Sequence, residues 1–376
     1  MGKPFEGMLV ADFSHVLSGP YTTMMLADMG ARVIKIERPA VGDDSRQFGP
    51  FKDGVSMYFQ TVNRGKESVA LDLKDEGDRE VAMNIVRRAD VLVENFRPGT
   101  MAKLGLGYED VHELNKRLIY ASISGFGQEG SMSKLPAYDA LVQAMSGFMS
   151  VTGEPDGPPI KAGPSIADML TGVYAYAAIT TALYQRSVTG QGTHIDVSMF
   201  DCMVSFLESD VVSNKVLKKN PSRIGNRHPS ISPFDTFKCA DDYIVICAGT
   251  DQLFGKACGV MGLDKLAEDA EMQTNQDRVI NFQKLTDAFN GALGCDTAKS
   301  WYARFVEAGV PVGLVNDIEE ALKLPAVKER NMLLQAGPYT LPGNPMRFST
   351  IKVNEQVGQA PELGEQSESI KQEFSE

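Results

Sequence analysis

Across about the first two hundred residues, short β-rich runs alternate with helical ones, a pattern that βαβ units produce and that demands a mainly parallel sheet with helices on its faces. Residues 8–13, 32–37, 91–94 and 118–122 read as strands, and residues 21–29, 80–89 and 139–148 as the helices between or beside them. A long apolar helix over 167–186 packs against this sheet in the same reading, and a Gly-rich corner at 189–193 leads into a further short strand at 194–197. The helical run that follows loses its periodicity and turns basic at 217–220, so a linker falls there. Beyond it, residues 233–237 and 243–248 form an antiparallel hairpin, followed by helical runs at 252–261, 279–293 and 298–308. The expected division is therefore a large domain over 1–198, a linker over 199–224, a small α+β domain over 225–317, and a returning segment over 318–376 that completes the large domain. That last segment holds a possible strand at 347–353 and an acidic end expected to be partly mobile.

Charge and cysteine usage narrow the functional classes. With 376 residues and 43% hydrophobic content, the chain can bury a substantial core. A net charge of −12 argues against general nucleic-acid binding and leaves the local cations for small anions. The five cysteines form no C-x-x-C pair and none sits beside a histidine at ligand spacing, which implies a reduced, cytoplasmic protein without a metal site. The amino-terminal run lacks the apolar core of a signal peptide. Residues 169–185, rich in Gly, Thr and Tyr, are expected to form a buried helix rather than a bilayer span.

Asp168 is the only charged residue between Ile166 and Gln185. Ser165 and Asp168 match the S-x-x-[DE] spacing of a capping box, and Pro164 favours an extended lead-in, so capping is the plain explanation. The alternative is a catalytic carboxylate: apolar surroundings raise its pKa, while free N–H groups at a helix start favour its ionised form.

Several chemistries find no support. The turn after the first strand reads Ser14-His-Val-Leu-Ser-Gly-Pro20, one glycine where a dinucleotide fingerprint requires three. Gly163-Pro-Ser165-Ile lacks the second glycine of a nucleophile elbow. By contrast, Glu94-Asn-Phe-Arg-Pro-Gly99 follows a strand and opens a helix, placing a ring, a guanidinium and free N–H groups at the carboxyl edge of the sheet. Arg38, Arg64 and Lys74 add cations near strand ends, an arrangement that suits a phosphate-bearing ligand with a stackable base.

At these segments the chain resembles the class III CoA-transferases, the family that includes formyl-CoA transferase and carnitine CoA-transferase. The likeness runs through residues 12–39, 89–111, 190–201 and 225–237 and covers most of the first 250 residues. The resemblance implies an α/β fold with a Rossmann-like large domain and a small α+β domain joined by long linkers, in a homodimer of interlocked rings. It implies that Asp168 is the nucleophile and that Tyr58, Tyr138 and Asp139 stand near the reacting carbonyl. Coenzyme A, as acyl-CoA co-substrate, would be lined by His15, Val16, Leu17, Ser18, Arg38, Leu71, Asp72, Leu73, Lys74, Asn95, Phe96, Arg97 and Lys103. The implied partners are an acyl-CoA donor and a carboxylic acid acceptor, with no nucleic acid and no membrane.

Two other readings accompany this one. α-Methylacyl-CoA racemases look alike over the nucleotide-binding region but pair a His with an Asp. Here Tyr138 precedes Asp139, and a phenol is a poor acid–base partner at neutral pH. A catalytically silent CoA-binding paralogue is the third possibility, which the intact Asp168 argues against. Within the transferase reading, Leu17 and the run Ala248 to Gln252 depart from the formyl-CoA transferase pattern, and an apolar Leu17 favours a larger or less polar acyl group than oxalate or formate.

Overall fold

The computed structural model describes residues 2–355 and 357–375. The chain divides into two units, one comprising Met1–Phe148, Lys161–Lys219 and Pro325–Glu376, the other Met149–Ile160 and Asn220–Leu324. The segment from 149 to 160 thus packs with the second unit, although the sequence pattern kept it in the large domain. The segment from 199 to 217, expected as linker, is largely helical.

The first unit is built on six strands: β1 Leu9–Asp12, β2 Arg32–Glu37, β3 Glu67–Ala70, β4 Val91–Glu94, β5 Ile119–Ser124 and β6 Thr193–Ser198. They lie in the order β3-β2-β1-β4-β5-β6, and every pairing is parallel. This is the doubly wound order, in which the winding reverses between β1 and β4. The central strands are buried on both faces, as parallel strands covered by helices must be: Val91, Leu92 and Val93 have no solvent exposure. β3 is absent from the sequence-based expectation because Glu67-Ser-Val-Ala70 is short and half polar.

The helices that concern the site are α1 Ser18–Asp28, α2 Met57–Asn63, α3 Glu76–Arg88, α4 Asp139–Met145, α5 Ile166–Thr189 and α6 Met199–Phe206. Asp75 caps α3 by accepting from the Asp78 N–H, and Gly190, in the left-handed region at φ 76°, ends α5. α5, 24 residues long and with a mean hydropathy of 1.3 over an 18-residue window, is long and apolar enough to cross a membrane by length and composition. One side of it, through Ala175, Ile179 and Ala182, joins the core on one face of the sheet. Its opposite side leaves Val173, Tyr174, Tyr184 and Val188 exposed in this chain.

Two expectations about the carboxyl-terminal segment fail. Residues 347–353 form no strand; the segment instead makes a hairpin, Leu333–Ala336 with Tyr339–Pro342. The run of Pro345, Met346 and Arg347 that follows offers no alternating face to pair. The acidic end is docked through helix Ser367–Glu373: Ile370 and Phe374 are buried in the main core, and Glu373 receives two bonds from Arg32 at 2.7 and 2.8 Å.

The second unit is an antiparallel sheet of three strands, β7 Phe234–Lys238, β8 Tyr243–Cys247 and β9 Val312–Leu314, with β8 in the centre. Helices α7 Asp251–Met261, α8 Phe282–Leu293 and α9 Ala298–Glu307 close a separate core around Phe237, Phe254, Phe289 and Trp301. The run Ala248 to Gln252 lies here. Thr250 caps α7, and the fully buried Arg278 pins the run through Gly249 O and Asp251.

α1 and α5 approach more closely than side chains normally allow. A Cβ on Gly172 would stand 2.9 Å from Ser18 O and 2.9 Å from the Tyr21 ring, while Thr22 donates to Gly172 O at 3.1 Å. Gly172 is one turn beyond Asp168, so this contact sets where the first turn of α5 lies. Replacing Gly172 with Val is expected to destabilise the protein by about 1–3 kcal/mol, the usual cost of overpacking, measured by urea unfolding. Unchanged stability would mean that the two helices separate freely.

Candidate active site

Ligands of doubly wound sheets bind in the crevice at the reversal point, here between the carboxyl ends of β1 and β4. Two loops meet there and are locked to each other. The His15 N–H donates to Asn95 Oδ1 at 2.8 Å, and Asn95 Nδ2 donates back to His15 O at 2.8 Å. The His15 ring stands edge-on to Phe96 with centroids 5.2 Å apart. The Phe96 N–H in turn donates to Glu94 Oε2 at 2.9 Å, and burial pushes the Glu94 carboxyl up to about 7.

Val16 adopts φ 66°, a conformation that a β-branched residue holds only under constraint. Asp43 supplies it, accepting the Val16 N–H on its two oxygens at 3.1 and 3.2 Å. Asp43 is itself paired at 2.9 Å with the fully buried Lys35, whose ammonium also donates to Ser14 O at 2.7 Å. The chain is thereby forced through a fixed corner into Leu17 and Ser18, where α1 begins. Asp43 is missing from the sequence-based candidates, although an Asp two residues before Ser45 in a post-strand loop is an Asx-turn signal.

Asp168 lies in the first turn of α5, half-buried, but the capping box does not form: Ser165 makes no side-chain cap bond. Asp139 performs that task from α4. Its Oδ1 accepts the Ala167 N–H at 2.9 Å, its Oδ2 accepts from Gln143 Nε2 at 2.6 Å, and Gln143 Oε1 accepts the Ala162 N–H at 2.9 Å. With the helix start satisfied from outside, the Asp168 carboxylate faces the cavity, close enough to the Ser18 hydroxyl to be stabilised by it. Burial first, and the Asp139 charge second, raise its pKa to about 7 against the opposing effect of Ser18. The expectation that helix N–H groups keep Asp168 ionised is therefore corrected: near neutral pH it is divided between both forms.

The cavity in front of Asp168 has a volume of about 590 Å³. It brings together His15, Val16, Leu17, Ser18, Asn95, Phe96, Arg97, Tyr138 and Asp168 from the sequence-based candidates, and adds Asp44, Phe48 and the loop from Ser133 to Ala137. Tyr138 is 73% exposed. Arg38 stands at the side of this cavity, ion-paired at 2.7 Å with Asp44. Tyr58 lines an adjoining chamber, and its phenol is pushed up to about 12 by burial and then by the charge of Asp168, so it keeps its proton. Leu71, Asp72, Leu73, Lys74 and Lys103 are not among the residues lining this cavity. Leu71 is in the core with its N–H committed to Glu37 O, whereas Asp72, Lys74 and Lys103 are exposed. Among the described residues, no group of three or more His, Cys, Asp or Glu side chains could hold a metal ion.

Comparison with known proteins gives a consistent result. The family model described as CoA-transferase family III matches residues 5–367. An acetyl-CoA:oxalate CoA-transferase of Acetobacter aceti is 49% identical over 373 residues, covering 99% of this chain and 96% of its own. A succinyl-CoA:glutarate CoA-transferase of Mus musculus is 37% identical over 377 residues, covering 99% of this chain and 86% of its own. Among solved structures, a CAIB/BAIF family protein from Brucella suis superimposes with a TM-score of 0.90 at 37% identity, with both chains fully covered.

The raised pKa of Asp168 has a stability consequence whose sign is fixed. A carboxyl whose folded pKa lies above its unfolded value favours folding while protonated, and that contribution is lost as pH rises through about 7. Asp168→Asn is expected to melt higher than the parent above pH 7, with the difference shrinking toward pH 4, as measured by calorimetry across that range. Asp139→Asn, which removes the like charge, should lower the Asp168 pKa in a carboxyl NMR titration; an unchanged value would mean that the two carboxylates do not interact.

Proposed function

The chain belongs to CoA-transferase family III, and from that membership and the geometry around Asp168 we propose that it moves CoA from an acyl-CoA thioester to a free carboxylic acid through covalent intermediates on this carboxylate. The observation that carries the proposal is a half-buried carboxylate, kept out of the capping role by Asp139 and facing a cavity bounded by the loops after β1 and β4. Asp168 joins that position to a pKa raised to about 7 by burial and by the charge of Asp139.

In the ionised form, an Asp168 oxygen attacks the thioester carbonyl carbon, the C–S bond breaks, and CoA leaves as thiolate, giving a mixed anhydride. The thiolate then attacks the aspartyl carbonyl, releases the donor acid, and leaves an aspartyl-CoA thioester. An acceptor carboxylate reverses the two steps and regenerates Asp168. The thioester's free energy is retained throughout, provided water is kept from the anhydride, and the apolar neighbours Leu17 and Met169 serve that need. The Ser18 hydroxyl and the protonated Tyr58 are the donors placed to steady charge as it moves between oxygen and sulfur. His15, Asn95, Phe96 and Arg97, with Arg38 beside them, are assigned to the nucleotide portion of CoA, through ring stacking and a cationic contact with phosphate. Asp72, Lys74 and Lys103, which are exposed, and the half-buried Leu73 are assigned to its outer reach, whereas Leu71 lies in the core.

The reading extends to assembly and location. The exposed Val173, Tyr174, Tyr184 and Val188 form an apolar row along α5, and a second copy of the chain is the proposed cover, in the interlocked homodimer the sequence resemblance implies. Five free cysteines, three of them buried, suit the reducing cytoplasm.

Asp168→Ala is expected to reduce transfer by at least about 10⁴-fold while circular dichroism stays unchanged. Hydroxylamine or borohydride trapping during turnover should mark the peptide that holds Asp168, and turnover without an adduct would refute the covalent route. For the parent, kcat/KM for acyl-CoA should fall as pH drops below about 7, because the free enzyme must carry ionised Asp168. Prompt exchange of the α-proton of an (R)-2-methylacyl-CoA in deuterated water, without an acceptor acid, would favour the racemase chemistry instead.

A further inference from the structure

Behind the wall that carries Leu17 lies a second chamber of about 360 Å³, which the mechanism above does not use. Leu17 lines both spaces. Tyr58 lines the chamber and lies close enough to Asp168 for the carboxylate's charge to raise its phenol pKa. Met169, the residue after Asp168, forms part of the chamber wall as well. The chamber therefore begins beside Asp168, and neither His15 nor Phe96 is among its lining.

Its chemistry is selective. Met24, Met25, Met57 and Met169 line it together with Val62, and unbranched thioether side chains adapt to apolar chains of differing shape. Among the described residues, the one cation in the wall is Arg64, which has no charge to spare. Its guanidinium donates to both Asp28 oxygens at 3.1 and 2.8 Å and to Thr61 O and Pro342 O at 3.1 Å each, and its side chain is 2% exposed. A second carboxylate carried into this chamber would lose its hydration without gaining a counter-ion, a costly exchange.

Resting on the transferase reading, we infer that this chamber receives the acyl tail of at least one of the two substrates and selects an aliphatic monocarboxylic acyl group over a dicarboxylic one. The carbonyl stays at Asp168, and the tail passes between Leu17 and Tyr58 toward Met57 and Met25. This differs from what the names of the succinate, glutarate and mesaconate relatives say of those enzymes.

The test uses the full-length protein and stable thioethers, 2-oxoalkyl-CoA compounds from 2-oxopropyl to 2-oxooctyl, in which a methylene between sulfur and carbonyl prevents CoA from leaving. Calorimetry should find the affinity rising about fourfold with each added methylene until the chamber is full, accompanied by an increasingly negative heat-capacity change. An analogue bearing a carboxylate at the tail should bind at least about tenfold more weakly than the alkyl analogue of equal length. Met57→Trp, which fills the chamber, should flatten the chain-length series, and Val62→Phe provides the same reading if the first variant does not fold. A flat series in the parent protein, or equal binding of the carboxylated analogue, overturns the inference while tight binding of 2-oxopropyl-CoA keeps the transferase reading standing. Failure of every member to bind overturns both.

Discussion

Two lysine ammonium groups, Lys35 and Lys66, lie without solvent exposure beneath the loop after β1, and each is matched by a buried carboxylate, Asp43 and Asp12. Ion pairs removed from water contribute little net stability, because desolvation of both partners offsets their attraction. What this pair of pairs does contribute is geometry. Asp12 gathers Lys66, Thr23 and Ser14, while Asp43 gathers Lys35, Ser45 and the Val16 N–H, so the end of β1, the start of α1 and the loop after β2 share one network. Burial alone would push Asp12 up, yet Lys66 and Lys35 hold it below the usual carboxylate range, and the network stays charged. Without it, Val16 would relax from its left-handed conformation, and Leu17 and Ser18 would not be presented to Asp168.

The same logic governs the proposed nucleophile, Asp168, with the opposite sign. Asp168 lies near the Ser18 hydroxyl, and the charge that acts on it is the like charge of Asp139. The site therefore holds a carboxylate whose ionised form is disfavoured, and in the proposed mechanism that favours attack on a carbonyl that neutralises it. Stability is given up where chemistry needs reactivity, a trade commonly made at functional sites. Asp139 has two effects that could not be separated by sequence: it satisfies the start of α5 through Ala167, and it raises the pKa of the group whose helix it caps.

Much of this is legible in the chain. Alternating strands and helices carry hydrophobic runs that only a covered parallel sheet can bury, so the pattern of residues alone locates β1, β2, β4 and β5. Asp168 stands out because a charge among apolar neighbours demands a reason. Three features are not legible, each for a physical cause. β3 is short and half polar, and its pairing is decided by the neighbouring strand β2 rather than by its own pattern. The capping of α5 comes from Asp139, 28 residues upstream, whereas a local rule proposes Ser165 and Asp168 as partners. The carboxyl-terminal helix docks through Ile370 and Phe374, two apolar residues in an acidic stretch whose composition suggests a solvated tail.

Gly172 joins these levels. The first turn of a helix is the least constrained part of it, because its N–H groups lack partners within the helix. A side chain placed there is poorly fixed unless something outside the helix holds the turn. Asp139 holds it from one side through Ala167, and the close approach of α1 at Gly172 holds it from another, with Thr22 bonded to Gly172 O and Ser18 reaching the carboxylate itself. α1 is in turn anchored by Thr23 on Asp12, within the buried charge network. The position of one carboxylate oxygen thus depends on a chain of contacts that runs from a buried lysine through a helix–helix contact tight enough to admit only glycine.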